Sequence, residues 1–324
     1  MKAARLFDFG DIDDVVVRGD VPAPVPGQGD LLVNVHAAGV NFADTLQVAG
    51  TYQIKPQLPF SPGLELAGEV VGVGEDVQGW ALGDRVMAMV PHGAYAEQAV
   101  VPAKAALRVP ESLDWAEAAA FPVAYGTSYM GLADVAGLKA GETLVVLGAT
   151  GGVGLTAIEV GQAIGATVIG VAGGPDKTQV LRDKGVDHVI DHRAEDMADR
   201  VKQITQGRGA DVIYDPVGGA FDRTLKATAQ GGRILIVGFA SGDVPQIPAN
   251  IVMVKNIQIF GFHFSAWLTL DPDRINATFL ALADLCADGK ICPTVSARYK
   301  LDDVRTALHD LKARRIVGKA VIEP

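Results

Sequence analysis

The sequence predicts an α/β protein of two domains: a β-rich unit built from both chain ends, and between them a doubly wound parallel sheet with helices on both faces. Three observations carry this prediction. The 324 residues are 49% hydrophobic, enough for one large core or two linked ones, and two is the expectation at this length. From Lys2 to about Val109, short apolar runs are broken by Gly, Pro, Asn and Asp, the punctuation of a compact β region. From Glu142 onward, strand and helix patterns alternate, which implies parallel strands joined by crossover helices.

In the first region Leu31–His36 and Leu66–Val73 read as half-buried strands. Asn41–Val48 lacks Gly and Pro and reads as a short helix, and the long loop Ala49–Pro62 contains Tyr52. After Ser112, the Ala-rich Leu113–Ala120 and the apolar Tyr125–Ala133 have helical spacing and lead into the second unit. The predicted strands there are Thr143–Leu147, Thr167–Ala172, His188–Ile190, Asp211–Tyr214, Arg233–Val237 and Ile257–Phe260. A helix over Ile275–Ala287, the segment Pro293–Tyr299, a helix near Val304–Lys312 and a last strand Gly318–Ile322 complete the chain. No internal repeat or low-complexity tract interrupts the pattern.

Charged residues make up 20% of the chain and the formal net charge is -10. No basic field exists to attract nucleic acid or an anionic membrane. Met1–Phe9 mixes apolar and charged residues without a long apolar run behind it, so no signal peptide is expected. Nowhere do the roughly 18 uncharged apolar residues of a membrane span run together, and a cytoplasmic location is expected. Cys286 and Cys292 have no CxxC spacing and read as incidental thiols of a reducing compartment.

The strongest motif is a strand, Leu144–Leu147, followed by Gly148, Ala149, Thr150, Gly151, Gly152, Val153 and Gly154 and then a helix to about Ile164. Side chains in such a turn would keep a pyrophosphate away from the backbone, while the helix start offers unpaired N–H groups and the positive end of the dipole. Val153, Ala157, Val160 and Ile164 mark the buried face of that helix. Alone, the turn is equally a structural one. Among six alternating strands it reads as a dinucleotide site. The next strand ends Val171, Ala172, Gly173, Gly174 without the acid that would bind NAD ribose hydroxyls, and Lys177 follows on the first turn of the next helix. That cation suits a 2'-phosphate and favours NADPH; the competing reading is a solvated helix lysine beside Asp176.

With these features the sequence resembles the medium-chain dehydrogenase/reductase superfamily, and within it the zinc-independent NADPH:quinone oxidoreductase (zeta-crystallin-like) family. The resemblance rests on Ala37–Asp44, Pro62–Gly68, Gly83–Val86 and the turn Gly148–Gly154, and it spans almost the whole chain. It implies a GroES-like β-rich catalytic domain over residues 1–122 and 262–324, and a Rossmann-type NADPH-binding domain over 123–261. Zinc-dependent relatives have a cysteine at the position of Asn41 and a histidine at that of Leu64. Leucine cannot ligate zinc and an amide replaces a thiolate poorly, so no metal is expected.

The implied chemistry is hydride transfer to an acceptor that is already electron-poor: a quinone, an enone or an enoyl thioester. Tyr52 is similar to a tyrosine that lines the substrate cleft and donates a proton in related enoyl reductases; the competing reading is a loop aromatic anchored by its hydroxyl. Asn41 is expected to orient substrate or nicotinamide, or else to satisfy buried backbone. Asp44 is read as a helix cap before a functional group. The resemblance also implies cofactor contacts from Thr127, from Gly238, Phe239 and Ala240 at the end of the fifth strand, and from Phe262, His263 and Phe264 after the sixth. His263 is read as packing or interface before a proton relay. Asp191-His192-Arg193 departs from the family's tyrosine near the adenine phosphate, and His192 or Arg193 is expected to substitute. Lys319 either reaches the cofactor or caps the last strand. The segment Ile257–Phe264 is expected to pair across a homodimer. Two alternatives stay open: an enoyl-thioester or enone reductase, and a non-enzymatic NADPH-binding crystallin or sensor.

Overall fold

Strand and helix signals of the sequence are realised in a computed structural model that describes residues 1–219 and 221–324. The chain forms two units, Met1–Val123 with Cys292–Pro324, and Ala124–Ile291. The first begins with β1 (Ala3–Arg5), β2 (Val16–Arg18), β3 (Asp30–Val40), β4 (Glu65–Val73), β5 (Arg85–Met89), β6 (Gln98–Pro102) and β7 (Ala106–Arg108). The second contains β8 (Thr143–Val146), β9 (Thr167–Ala172), β10 (His188–Asp191), β11 (Ala210–Asp215), β12 (Thr228–Ile236) and β13 (Gln258–Gly261). The chain then returns with β14 (Val295–Lys300) and β15 (Lys319–Glu323).

In the first unit β3 alternates buried and half-buried residues over most of its length, as a strand with one face on a core must. It is the hub of the larger sheet, ordered β14-β15-β3-β4-β5-β7 with β6 also pairing to β3. Leu31, Val33, Leu66, Val70, Val86 and Leu308 belong to its core. The antiparallel pairing of β15 with β3 matches Ala320 with Val40, so Lys319 comes to lie beside Asn41. Helix Phe42–Val48 starts directly after β3.

The second unit is a six-stranded sheet ordered β10-β9-β8-β11-β12-β13, parallel at every pairing. Strands buried on both faces read as continuous apolar runs, and all four residues of β8 are buried. The chain order reverses between β8 and β11, which opens a crevice at the carboxyl ends of those strands. Helix Gly152–Ile164 leaves β8 there and stops at Gly165, whose φ of +91° is the left-handed C-cap that glycine adopts without strain.

Four expectations are corrected in detail. The chain leaves the second unit between Ile291 and Cys292, not between 261 and 262. After β13 the Phe262 and Phe264 side chains turn inward, against Gly131 and Gly126, and Phe264 meets Phe279 edge to face. That packing holds helix Pro272–Ala287 in the same unit, and it ends the strand at Gly261, so Ile257–Phe264 is not one strand. Gly238, Phe239 and Ala240 lie beyond β12, which ends at Ile236. The predicted helix Tyr125–Ala133 is an α-helix only through Tyr129 and continues as a wider π-turn over Met130–Val135. No helix among the described residues is long and apolar enough to cross a membrane.

Candidate functional site

Residues of functional interest form one group in each unit. In the second unit Gly148 takes φ +57°, and its carbonyl accepts the Gly151 N–H at 2.9 Å, closing the turn. Ala149 N donates to Val171 O at 3.0 Å, which ties the turn to β9. The helix starts at Gly152, and the first N–H groups of any helix lack partners within it. Only glycine fits at 154: a Cβ there would stand 2.3 Å from Gly148 O. Turn and helix start therefore sit with backbone against backbone, an arrangement in which the first N–H groups of a helix can meet an anion.

Beside this turn, Gly173 and Gly174 follow β9, which ends at Ala172, and Lys177 lies on the first turn of helix Pro175–Asp183. A Cβ on Gly173 would meet His192 Nε2 at 2.7 Å and Arg193 Nε at 3.0 Å. Both side chains thus lie over the end of β9. Asp191 turns its Oδ1 to the backbone N–H groups of Gly174 and Arg193, at 2.9 and 3.0 Å. These bonds hold its carboxyl below the usual range. Its charge is engaged with the turn, while the neighbouring side chains His192 and Arg193 are basic.

Thr127 is buried on helix Pro122–Tyr129. The next residue anchors that helix: Ser128 Oγ lies 3.0 Å from Val153 O, 2.7 Å from Thr156 Oγ1 and 3.1 Å from Tyr214 Oη. This hydroxyl cluster was invisible to motif reading, because its members lie on three separate elements. Asp215 at the end of β11 accepts the Val217 and Gly218 N–H groups, both at 2.8 Å, and burial raises its pKa. Ala240 N donates to Pro216 O at 3.1 Å, and Phe239 is exposed. Phe262 and Phe264 spend their rings on the core, whereas His263 is exposed with Nε2 3.0 Å from Ser265 Oγ. A cavity of about 500 Å³ lies at the opposite end of the sheet, lined by Glu142, Asp211, Arg233 and Gln258.

In the first unit the polar side chains converge at the end of β3. Glu65 is fully buried, and its Oε1 accepts Asn41 Nδ2 at 2.9 Å and Lys319 Nζ at 2.8 Å. Its Oε2 accepts Val123 N at 2.8 Å. Lys319 Nζ also donates to Asn41 Oδ1 at 2.6 Å and to Val40 O at 3.0 Å. The ammonium therefore has three acceptors within its own unit for its three N–H groups. Asp44 accepts Asn41 N at 2.7 Å and Tyr95 Oη–H at 2.6 Å on Oδ2; the expected helix cap is present, and a buried phenol joins it.

Asp44 Oδ1 and, one helical turn on, Gln47 Oε1 are buried without hydrogen-bond partners. Burial pushes the Asp44 pKa up to about 7 against the opposing pull of the Tyr95 hydroxyl, the Asn41 N–H and the Lys319 ammonium; Glu65 adds to the rise. Tyr95 is held well above its ordinary value by burial and by the Asp44 carboxyl.

Tyr52 is half-buried in the loop after helix Phe42–Val48, and its N–H bonds Leu46 O at 3.1 Å. Gly50, at φ +65°, packs on Phe9, which would lie 2.8 Å from a Cβ. Phe9 meets Phe60, and Phe60 meets His92 edge to face. The Tyr52 loop thus rests on an aromatic cluster. Glu65, Tyr95 and Gln47 were not singled out from the sequence; the available signal was a lone carboxylate, Glu65, at the start of an apolar strand.

Residues 27–111 match the alcohol dehydrogenase GroES-like domain and residues 152–283 the zinc-binding dehydrogenase family. The chain is 41% identical over 300 residues to the quinone oxidoreductase-like protein 2 homolog of Nematostella vectensis, covering 91% of this chain and 82% of that one. Among solved structures it is similar to Escherichia coli quinone oxidoreductase complexed with NADPH, with a TM-score of 0.93, 29% identity and full coverage of both chains. A mycobacterial protein complexed with NADPH is 32% identical, also at TM-score 0.93 with full coverage of both.

Proposed function

The chain belongs to the quinone oxidoreductase family of the medium-chain dehydrogenase/reductases, and we propose that it reduces a quinone or another carbonyl-activated double bond without zinc. It is an NADPH-dependent oxidoreductase. When bound, the reduced nicotinamide supplies a hydride. The turn Gly148–Gly154 holds the pyrophosphate on backbone N–H groups, and Lys177, His192 and Arg193 meet the 2'-phosphate.

The observation that carries the zinc-free reading is the buried ammonium of Lys319 between Asn41 and Glu65. Zinc needs about four deprotonated or neutral donors with free lone pairs. Here Leu64 has none, Asn41 Oδ1 is taken by Lys319, and both Glu65 oxygens accept N–H bonds. A fixed positive charge at that point repels a dication. Such a centre suits acceptors whose own carbonyl takes up the developing charge, helped by preorganised neutral donors. The Asn41 amide orients the acceptor oxygen, and Tyr52 donates the proton.

Chelator-treated, metal-analysed enzyme assayed for NADPH oxidation with a naphthoquinone and with crotonyl thioester tests this reading. Full activity without zinc, higher with the quinone, is expected. Zinc-dependent turnover refutes the zinc-free part, and preference for the thioester refutes the quinone part. Tyr52→Phe should lower kcat about 100-fold, the lower end for loss of a general acid, with NADPH affinity kept; an unchanged rate removes Tyr52 as the acid. The homodimer is proposed through β13, an edge of its sheet, since an unpaired edge recruits a partner strand.

A further inference from the structure

An ammonium can only donate hydrogen bonds and a carboxylate can only accept them. Asn41 lies between one of each, so its amide has a single permitted orientation: Oδ1 toward Lys319 Nζ at 2.6 Å, Nδ2 toward Glu65 Oε1 at 2.9 Å. Glu65 is itself fixed by the Val123 N–H at 2.8 Å. It also fills the space beside Gly39, where a Cβ would stand 2.2 Å from Oε1. The second Nδ2–H of Asn41 has only a 3.5 Å contact to Gly39 O, at the limit of a hydrogen bond.

Folding alone does not require this arrangement. Lys319 is 5% exposed and Glu65 not at all, and a buried ion pair is replaced by a well-packed apolar pair at little or no cost in stability. Its distinctive product is a fixed amide whose second N–H has only the long contact to Gly39 O.

We infer that Lys319 and Glu65 are positioning residues, a buried ion pair that locks the Asn41 amide so that its second Nδ2–H faces the acceptor. The inference rests on the reading of Asn41 as the group that orients the acceptor. Neither charged residue touches the reacting atoms; both act through Asn41.

The test is a double-mutant cycle on the full chain with NADPH and 1,4-naphthoquinone, using Asn41→Ala, Lys319→Met and the two together. Thermal melts and NADPH titration run in parallel. Lys319→Met is expected to lower kcat about 10-fold, within the range for directly coupled residues, and to leave NADPH Kd within about twofold. Made in the Asn41→Ala background, it should cost less than about twofold more. Equal losses in both backgrounds, or a folded Lys319→Met with unchanged kcat, overturn the inference. A weakened NADPH Kd overturns it in favour of direct cofactor contact. Should Lys319→Met not fold, the neutral pair Glu65→Gln with Lys319→Met enters the same cycle and is read the same way. If Asn41→Ala alone leaves turnover unchanged, the acceptor-orienting role of Asn41 fails; that result is distinct from additivity, which sinks only the positioning role.

Discussion

Gly154→Ala should cripple NADPH binding without unfolding the protein. The added Cβ would lie 2.3 Å from Gly148 O and 2.9 Å from Ala149 Cα, about 1 Å and about 0.5 Å inside ordinary contact. Its neighbours are backbone atoms of the turn and cannot rotate away. Relief requires the turn and the helix start to separate by roughly that overlap. A phosphate hydrogen bond weakens steeply over such a distance, and losing one bond to a charged group costs about 1.5–3 kcal/mol. The Kd for NADPH should therefore rise about 10- to 150-fold. Gly161→Ala is the matched control, one residue type on the same helix. Its Cβ would meet Leu144 Cδ2 at 2.6 Å and Val168 Cγ2 at 3.3 Å, which are side-chain ends able to yield. It should cost about 1–3 kcal/mol of stability and leave NADPH Kd within about twofold. Fluorescence titration of NADPH with a thermal melt of each variant separates the two effects. Gly154→Ala binding as tightly as wild type, or Gly161→Ala weakening NADPH equally, would refute the backbone-contact argument.

The remaining predictions concern selectivity, pH and assembly. Lys177→Ala and Arg193→Ala should each raise KM for NADPH about 10-fold while leaving NADH kinetics unchanged, and added salt should shrink the difference; equal loss with both cofactors would place these cations elsewhere. Burial raises the folded-state pKa of Asp44 to about 7 from its ordinary 3.8, so the folded protein holds a proton that the unfolded chain releases. Its contribution is full below about pH 4 and is lost as pH rises to about 7. Asp44→Asn should flatten that decline in melts taken from pH 5 to 8, and an unaltered slope would show that Asp44 does not titrate there. Light scattering at micromolar concentration should give a dimer. Met253→Glu with Val254→Glu, on residues 70% and 67% exposed in the helix before the β13 edge, should shift it toward monomer with NADPH Kd kept; a wild-type monomer would end the dimer proposal.

Alternation and glycine placement made much of the fold legible. The period of two in β3, the apolar run of β8 and the glycine turn are local, and local patterns survive in a single sequence. Boundaries set by tertiary packing did not survive: Phe262 and Phe264 leave the strand because Gly131 and Gly126 leave room for their rings. Tyr52, Asn41 and Lys177 could be named because they sit in or beside motifs. The partnership of Lys319 with Glu65 could not, since 254 positions separate them and they meet only through the pairings of β15 with β3 and of β3 with β4. Sequence alone reads Lys319 as a cofactor contact or a strand cap; its bond to the Asn41 amide is visible only in the structure.

That late pairing also has a consequence for synthesis. A ribosome makes β3 and β4, then the entire second unit, and only afterwards the strand Lys319–Glu323 that closes beside Val40. During that interval the second unit, contiguous from Ala124 to Ile291, has all its strands and can fold as domains do, in order of emergence. The first unit must wait with the edge of β3 uncovered and the Glu65 carboxylate lacking its cation. An open strand edge is a template for pairing with another chain. A chain halted before Lys319 would therefore carry a complete glycine turn for NADPH but an Asn41 amide with no set orientation, able to hold cofactor yet poor at using it.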